Sequence, residues 1–437
     1  MSTVLFAFLG TGNYRPAIYA FGRKPHERAT TRFVAQAMLE VAKAGGNLAA
    51  PDRIILCGTA TSGWHALVEV LQNPKQVTEK SAGTKITPVD AAELAGFSTV
   101  YSNLLGVPVT CQLISFGTDA MQQAGFVSMV NSHVGDGDTV HFDVTHGLRH
   151  LSMLALMAAL AVRTLRNATI AGVWYGAFEL ANTPEGEAIT GMKEATPMIK
   201  LDGLLAISDW LAAINVFDAT GNVGAFAAPL RKENKTETAN RLEDAAFSER
   251  TQVTQSARNS AQYALIQLDD VTTGVADVVR PAIEARLGWA NEVARHDAGF
   301  DHALRFAETG NEARAATLIY ETTLALISQA SQIDLGQKGM TDALAKACRE
   351  TKKHGAQSAI MYASTYLEMK ELRNALVHSG AIDIRDKQLA NKTEFNLNSP
   401  QACRSALKRM AQVLRQTPPE ALIAELRDQI KSGTYHK

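Results

Sequence analysis

Four apolar segments in the N-terminal half of the chain each end in a short loop that contains glycine. They are Val4–Leu9, Arg53–Cys57, Val109–Phe116 and Thr139–Val144. Stretches with helical spacing alternate with them, which predicts an open, mostly parallel sheet with helices on both faces. In such sheets ligands bind beyond the carboxyl ends of the strands. The glycine-containing loops are therefore candidate parts of a binding site.

The intervening stretches and the C-terminal half have helical spacing of their apolar residues. The predicted helices of the first part are Glu27–Ala44, Trp64–Leu71, Thr118–Val130 and Leu148–Arg166, and Ala168–Phe178 is predicted as a further strand. After about Thr190 the pattern becomes helical, beginning with Leu201–Phe217, and residues 275–430 carry no strand pattern. Residues 228–258 are polar and charged, which predicts an exposed helical arm or hinge. We predict an α/β domain over 1–190, a helical connector over 191–275 and an all-α domain over 276–437.

Composition excludes several classes of protein. The 43 basic and 44 acidic residues balance, so any contact with nucleic acid must come from a local patch rather than from the overall charge. The four cysteines form no CxxC pair and indicate buried apolar positions rather than disulfides or a zinc site. No uninterrupted apolar stretch reaches the ~18 residues of a membrane span, and no signal-peptide pattern begins the chain. We expect a cytoplasmic protein without membrane contact.

The first glycine-containing loop begins with Gly10-Thr11-Gly12. It departs from the dinucleotide fingerprint because Arg15 stands where the third glycine is required, and the chain has no Walker lysine pattern, so an ordinary NAD or ATP site is not predicted. One interpretation is a plain tight turn. The other is that backbone N–H groups, with Thr11, Asn13 and Arg15, face a phosphate.

A more specific pattern follows the fourth strand, where Asp143-Val144-Thr145-His146-Gly147 leads directly into a helix. Thr145 is predicted to cap that helix, so that the helix N-terminus, His146 and Arg149 would bind an anion. A purely structural cap is one alternative. A metal site at His141, His146 and His150 is another, although no carboxylate or cysteine cluster joins these histidines.

The third pattern is Arg373-Asn374-Ala375-Leu376-Val377-His378, at the end of a predicted helix over Ala356–Val377. Asn374 and His378 are four residues apart and share a helix face. An arginine and a histidine are the cation and the acid–base group that RNA cleavage needs. Arg349 and His354 have the same spacing, but the residues between them are polar, which is typical of a solvated helix end. A structural helix end is also an open interpretation for Arg373–His378.

Taken together, these patterns resemble the CARF–HEPN ribonucleases associated with type III CRISPR systems. Leu9–Tyr14 and Asp143-x-Thr145-His146-Gly147-x-Arg149 are similar to the subgroup named for its Asp-x-Thr-His-Gly motif, and Arg373-Asn374-x3-His378 resembles the HEPN motif. The resemblance implies a Rossmann-like CARF domain followed by an all-α HEPN domain. Residues 228–258 have no counterpart that we can place in the family pattern.

The resemblance also implies a mechanism, a ligand and partners. A homodimer or higher homo-oligomer would bind cyclic oligoadenylate, with cyclic tetraadenylate expected, as an allosteric activator, and would cut single-stranded RNA without metal or cofactor to leave 2′,3′-cyclic phosphate ends. Stable DNA binding is not expected. The implied catalytic residues are Arg373, Asn374 and His378. The implied activator-binding residues are Gly10, Thr11, Gly12, Asn13, Tyr14, Arg15, Gly58, Thr59, Thr61, Ser62, Thr145, His146, Gly147 and Arg149.

Two other functions stay open at this point. The N-terminal domain would sense a nucleotide while the helical domain only binds a partner, or the N-terminal domain would itself degrade the cyclic ligand.

Overall fold

The computed structural model describes residues 1–11, 14–72, 88–251, 254–269, 274–292, 295–377 and 387–433. Three predicted site residues, Gly12, Asn13 and His378, lie outside these ranges. The chain divides into two units, Met1–Leu205 and Ala206–Lys437. The predicted domain boundaries at residues 190 and 275 stay predictions.

Eight strands of the first unit form one sheet in the order β3-β2-β8-β7-β6-β1-β4-β5. Their bounds are β1 Thr3–Phe8, β2 Ala17–Ala20, β3 Arg28–Thr31, β4 Arg53–Gly58, β5 Val109–Leu113, β6 Thr139–Asp143, β7 Thr169–Gly176 and β8 Ala195–Lys200. Strands β7, β6, β1, β4 and β5 are parallel to their neighbours in this series. The prediction of a mostly parallel sheet is confirmed.

The sheet continues past β7 into three strands that the sequence pattern did not predict. Strand β8 pairs antiparallel with β7, β2 pairs parallel with β8, and β3 pairs antiparallel with β2. The predicted helix over Glu27–Ala44 is wrong in its first part, because residues 28–31 form β3 and the helix begins at Val34. Two β-branched threonines in this short segment favour a strand once β2 is available as a partner.

Helices cover both faces of the sheet. They are α1 Val34–Lys43, α2 Trp64–Gln72, α3 Ala91–Leu105, α4 Ala120–Ser132, α5 Arg149–Leu165 and α6 Pro184–Thr190. Alternate residues of β1 enter two different apolar clusters: Leu5 and Ala7 belong to the cluster that includes α1 and α3, while Val4 and Phe6 belong to the one that includes α4 and α5. This alternation is the two-sided burial expected of a parallel sheet.

The second unit is helical throughout its described residues. Its helices, counting α7 that begins just before the boundary, are α7 Asp202–Thr220, α8 Ala227–Lys232, α9 Thr236–Arg250, α10 Thr254–Asp269, α11 Val275–Leu287, α12 Arg295–Glu308, α13 Glu312–Ser331, α14 Met340–His354, α15 Gln357–Val377, α16 Lys387–Leu397, α17 Pro400–Leu414 and α18 Glu420–Ser432. They form two apolar clusters, one from residues 210–290 and one from residues 300–426. Within the described ranges, no helix combines the length and hydropathy needed to cross a bilayer.

The prediction of an exposed arm over residues 228–258 is wrong. Leu230, Leu242 and Ala245 are fully buried and pack in the first of these clusters with Trp210 and Phe226. Helix α9 is rich in charged residues overall, but its alanine and leucine residues form a narrow apolar face that is buried. The predicted burial of all four cysteines is confirmed.

Candidate functional site

The loops after β1 and β6 meet where the strand order reverses. From β1 the chain builds the sheet toward β4 and β5 on one side, and later toward β6 and β7 on the other. Doubly wound sheets bind their ligands at such a reversal, beyond the carboxyl ends of the strands. The backbones are close here, since a Cβ atom on Gly10 would lie 2.2 Å from the carbonyl oxygen of His146. The structure therefore brings two of the three predicted loops together.

The third predicted loop, after β4, is fastened to the first one. The Gly63 N–H donates to the Gly10 carbonyl at 2.8 Å, and the Ser62 hydroxyl donates to the Leu9 carbonyl at 2.9 Å. The Thr59 N–H in turn donates to the Ser62 hydroxyl at 2.9 Å. Thr59 and Ser62 are buried, so their visible role is to hold this loop against the end of β1.

Tyr14, in the loop after β1, and His146, in the loop after β6, form an aromatic contact. Their ring centroids are 5.0 Å apart in an edge arrangement, and Phe33 stacks on His146 at 5.5 Å. Burial lowers the pKa of His146 to about 4, so the imidazole is neutral near pH 7. Its Nε2 is buried without a hydrogen-bond partner among the described residues. An anion site here would therefore meet His146 as a neutral imidazole, and the part that His146 plays in ligand binding stays a prediction.

Thr145 does not cap the following helix as predicted. The helix α5 begins one residue after Leu148, which is its N-cap residue and provides no side-chain cap. The Thr145 hydroxyl instead accepts the Gly176 N–H at 2.9 Å, and the Thr145 N–H donates to the Asp143 carboxylate at 3.0 Å. The first turn of α5 thus keeps its positive end without a side-chain cap, and the exposed Arg149 stands at its first position.

Other exposed polar residues of the site are Thr11 and Arg15. Together with Arg149 they supply two cations and a hydroxyl in the loops after β1 and β6. Arginine binds phosphate through a planar pair of N–H groups. The described part of this site is therefore suited to an anionic ligand that carries phosphate.

The three histidines of the metal alternative do not converge. His141 is buried and accepts the Trp174 indole N–H at Nδ1 over 3.3 Å, whereas His150 is exposed and its Nε2 lies 2.5 Å from the Phe116 carbonyl. Among the described residues there is no group of three or more His, Cys, Asp or Glu side chains that could hold a metal ion.

The buried ionisable groups of this unit predict a pH-dependent stability. Burial lowers the pKa of His141 and His146 from 6.5 to about 4, so between these values the unfolded state binds more protons. Stability should then fall as the pH drops through this window, by about 3 kcal/mol per histidine. Burial raises the pKa of Asp143 from 3.8 to about 6, which opposes the loss in the same window. Urea unfolding followed from pH 7 to pH 4.5 measures the net loss.

The variant Asp143→Asn separates the two contributions. It removes the opposing carboxyl, so its stability should fall more steeply toward acid than that of the wild type. An equal or shallower slope in Asp143→Asn would contradict the assignment.

A second candidate site lies on α15 in the helical unit. The Arg373 side chain is half-buried, and its Nη1 donates to the Asn374 amide oxygen at 3.0 Å. Its Cζ lies 5.2 Å from the centre of the Tyr320 ring on α13. Within the part of the chain that the structure describes, no carboxylate lies within ion-pair distance of Arg373. The Glu321 carboxyl interacts with this charge from a longer distance. A guanidinium without an ion-pair partner among the described residues is suited to an anion such as a phosphodiester.

Sequence reasoning did not find Tyr320. Tyr320 belongs to an apolar helix, and no local sequence pattern predicts its contact with Arg373, which is 53 residues later in the chain. The structure pairs Asn374 with Arg373, a contact that the sequence analysis did not predict. Helix α15 is described to Val377, so the predicted common face of Asn374 and His378 lies partly outside the described residues.

Comparison with known proteins adds two findings. Residues 4–179 match the family described as CRISPR system endoribonuclease Csx1, CARF domain. The chain is also similar to a CRISPR-associated protein of Methanocaldococcus jannaschii, with 24% identity over 267 residues, or 54% of this chain. That match covers 39% of the length of the relative. Together they support a CARF-containing, CRISPR-associated protein, and the mostly parallel α/β sheet is consistent with a Rossmann-like CARF domain.

Proposed function

We propose that this protein is an endoribonuclease of type III CRISPR defence that cuts single-stranded RNA without a metal when cyclic oligoadenylate binds its CARF domain. The observation that carries the proposal is Arg373: a half-buried guanidinium hydrogen-bonded to Asn374, with no carboxylate of the described residues within ion-pair distance. It lies in an all-helical unit that follows a domain matching the CARF family. In the sequence, His378 follows Asn374 by four residues.

These residue types suit cleavage by the RNA itself. The 2′-hydroxyl attacks the adjacent phosphorus, the bond to the 5′-oxygen of the next nucleotide breaks, and a 2′,3′-cyclic phosphate and a 5′-hydroxyl result. His378 would remove the 2′-hydroxyl proton or protonate the leaving oxygen, because imidazole is an effective acid–base group near neutral pH. Arg373 would stabilise the negative charge that develops on the phosphorane oxygens. Asn374 would hold the guanidinium in place.

A dimer would complete this site. One arginine and one histidine are few for both proton transfers and charge stabilisation, whereas two copies would supply two of each. Cyclic oligoadenylate would then act by its difference in affinity for the inactive and active arrangements, and ~100-fold activation requires about 2.7 kcal/mol of such difference.

The direct test is an RNase assay on the purified protein, without and with cyclic tetra-adenylate or hexa-adenylate and in the presence of EDTA. We expect cleavage only with activator, unaffected by EDTA, with 2′,3′-cyclic phosphate ends on the products. Binding of a cyclic oligoadenylate without RNA cleavage would contradict the proposal and favour a binding module. Consumption of the cyclic ligand, followed in the same reactions, would identify a ligand-degrading activity.

The activator site gives a separate prediction for Arg149. Replacing Arg149 by Ala should weaken the affinity for cyclic oligoadenylate about tenfold, because an exposed cation beside the uncapped end of α5 is lost. The cleavage rate without activator should not change. Isothermal titration calorimetry measures the affinity. Lys43→Ala, which removes an exposed cation at the end of α1, is the matched control, and an equal loss in both variants would point to a general charge effect.

A further inference from the structure

The surroundings of Arg373 contain an aromatic pair that the proposed reaction has not used. Tyr320 on α13 and Tyr366 on α15 stack with their ring centroids 5.9 Å apart, and the Tyr366 hydroxyl donates to the Tyr320 hydroxyl at 3.4 Å. Both are buried in the apolar cluster of the helical bundle, Tyr320 with 6% exposure and Tyr366 with none. The Tyr320 ring is therefore fixed by its packing, and its orientation does not depend on a bound ligand.

The Arg373 guanidinium lies against this fixed ring. Its Cζ is 5.2 Å from the ring centre, within the ~6 Å over which a cation is attracted to an aromatic face. Its Nε is buried and has no hydrogen-bond partner among the described residues. The hydrogen bond to Asn374 involves only the Nη1 atom of the guanidinium. The ring is thus a second support for the guanidinium, on an element separate from the helix that carries it.

The phenol of Tyr320 is not itself suited to proton transfer. Burial raises its pKa above the ordinary value near 10, so the hydroxyl stays protonated at neutral pH. Tyr320 can therefore act through its ring rather than by moving a proton.

We propose that Tyr320 is a positioning residue: its ring holds the Arg373 guanidinium in the orientation that contacts the scissile phosphate. This inference rests on the proposed RNase function. The cleavage rate falls when a catalytic group is misplaced by ~1 Å. An arginine side chain is long and flexible, and contact with a ring on a rigid neighbouring helix limits its movement. The arrangement also leaves the charge available, since a ring attracts the guanidinium without neutralising it as a carboxylate would.

The test compares three changes at one position. Tyr320→Phe keeps the ring and removes the hydroxyl, Tyr320→Leu removes the ring, and 3,4,5-trifluorophenylalanine at position 320 keeps the ring shape but weakens its negative face. With activator present, we expect kcat near the wild-type value for Tyr320→Phe and about tenfold lower for the other two, with KM little changed. The fluorinated variant keeps the test valid should Tyr320→Leu not fold.

A second measurement does not depend on activity. The Nε–H proton of Arg373, assigned by its loss in Arg373→Ala, should resonate upfield because of the ring current of Tyr320, and should return toward the random-coil position in Tyr320→Leu. Tyr362→Leu is the control, because it removes another buried tyrosine ring, on the helix α15 that also carries Arg373. The Tyr362 hydroxyl donates to the Leu414 carbonyl at 3.3 Å. Tyr362→Leu should leave both kcat and the resonance unchanged.

The outcomes separate the two proposals. Unchanged kcat in the trifluorinated variant, or an equal loss of kcat in Tyr362→Leu, would overturn the positioning role. A wild-type protein that cleaves no RNA with any activator would reject the proposed function. In that case an upfield Arg373 resonance that is lost in Tyr320→Leu would still support placement of the guanidinium by the ring, and an unshifted resonance would overturn it.

Discussion

Replacing Arg373 by Ala is expected to lower the rate of RNA cleavage by at least about 10²-fold while the affinity for cyclic oligoadenylate stays unchanged. No described carboxylate lies within ion-pair distance of the guanidinium, and Glu321 interacts with its charge only from a longer distance, so removing it breaks no ion pair among these residues and should not unfold the bundle. What is lost is the group proposed to stabilise charge on the phosphorane. Single-turnover cleavage of a labelled RNA and calorimetry with the activator measure the two quantities.

Arg349 provides the matched control. It belongs to the other Arg-x4-His match in the chain, and both Arg349 and His354 are exposed near the end of α14. Arg349→Ala should therefore cleave RNA at nearly the wild-type rate. Loss of activity in Arg349→Ala together with normal activity in Arg373→Ala would show that the wrong pair had been chosen.

The parallel core of the sheet could be predicted because its strands are nearly continuous apolar segments. Val4–Phe8 and Ile54–Cys57 are buried on both faces, which leaves a strong local signal. The added strands β2, β3 and β8 could not be predicted in the same way. Strand β2 has only four residues, and β3 and β8 are partly polar, so all three become strands through pairing with one another and with β7.

The meeting of the three glycine-containing loops was predictable, but the contacts of their residues were not. Loops that follow neighbouring parallel strands must lie at the same edge of the sheet, and the structure brings them together there. Whether Thr145 caps a helix depends on where that helix starts, and its hydroxyl instead accepts a bond from Gly176, 31 residues later. The sequence does not reveal the charge state of His146, whose imidazole is kept neutral by burial against Phe33 and Tyr14.

In the helical unit, too, the sequence pattern did not reveal which residues are buried or which helices are in contact. The polar composition of residues 228–258 suggested a solvated arm, because charge counts do not reveal a narrow buried face. Arg373 and Asn374 were found from their spacing on one helix, which is a local property. The contact of Arg373 with Tyr320 joins α13 to α15, and only the packing of the two helices creates it.

Replacing Gly10 by Ala is expected to lower stability by about 1–3 kcal/mol and to weaken cyclic oligoadenylate binding by more than about tenfold. The added Cβ would lie 2.2 Å from the His146 carbonyl oxygen, which is a backbone atom and cannot rotate away as a side chain would. The loops after β1 and β6 must then separate. Because the Gly10 carbonyl also accepts the Gly63 N–H, the loop after β4 would be disturbed with them.

Gly125→Ala tests whether the effect comes from this close approach. Gly125 is exposed on α4, and a Cβ there would meet nothing within 4 Å. Alanine should therefore stabilise that helix by about 0.5–1 kcal/mol and leave ligand affinity unchanged. Thermal unfolding and calorimetry on both variants decide the matter. If Gly10→Ala binds the activator as tightly as the wild type, the ligand is not held by the loops after β1 and β6, because such a ligand must respond when the two loops are forced apart.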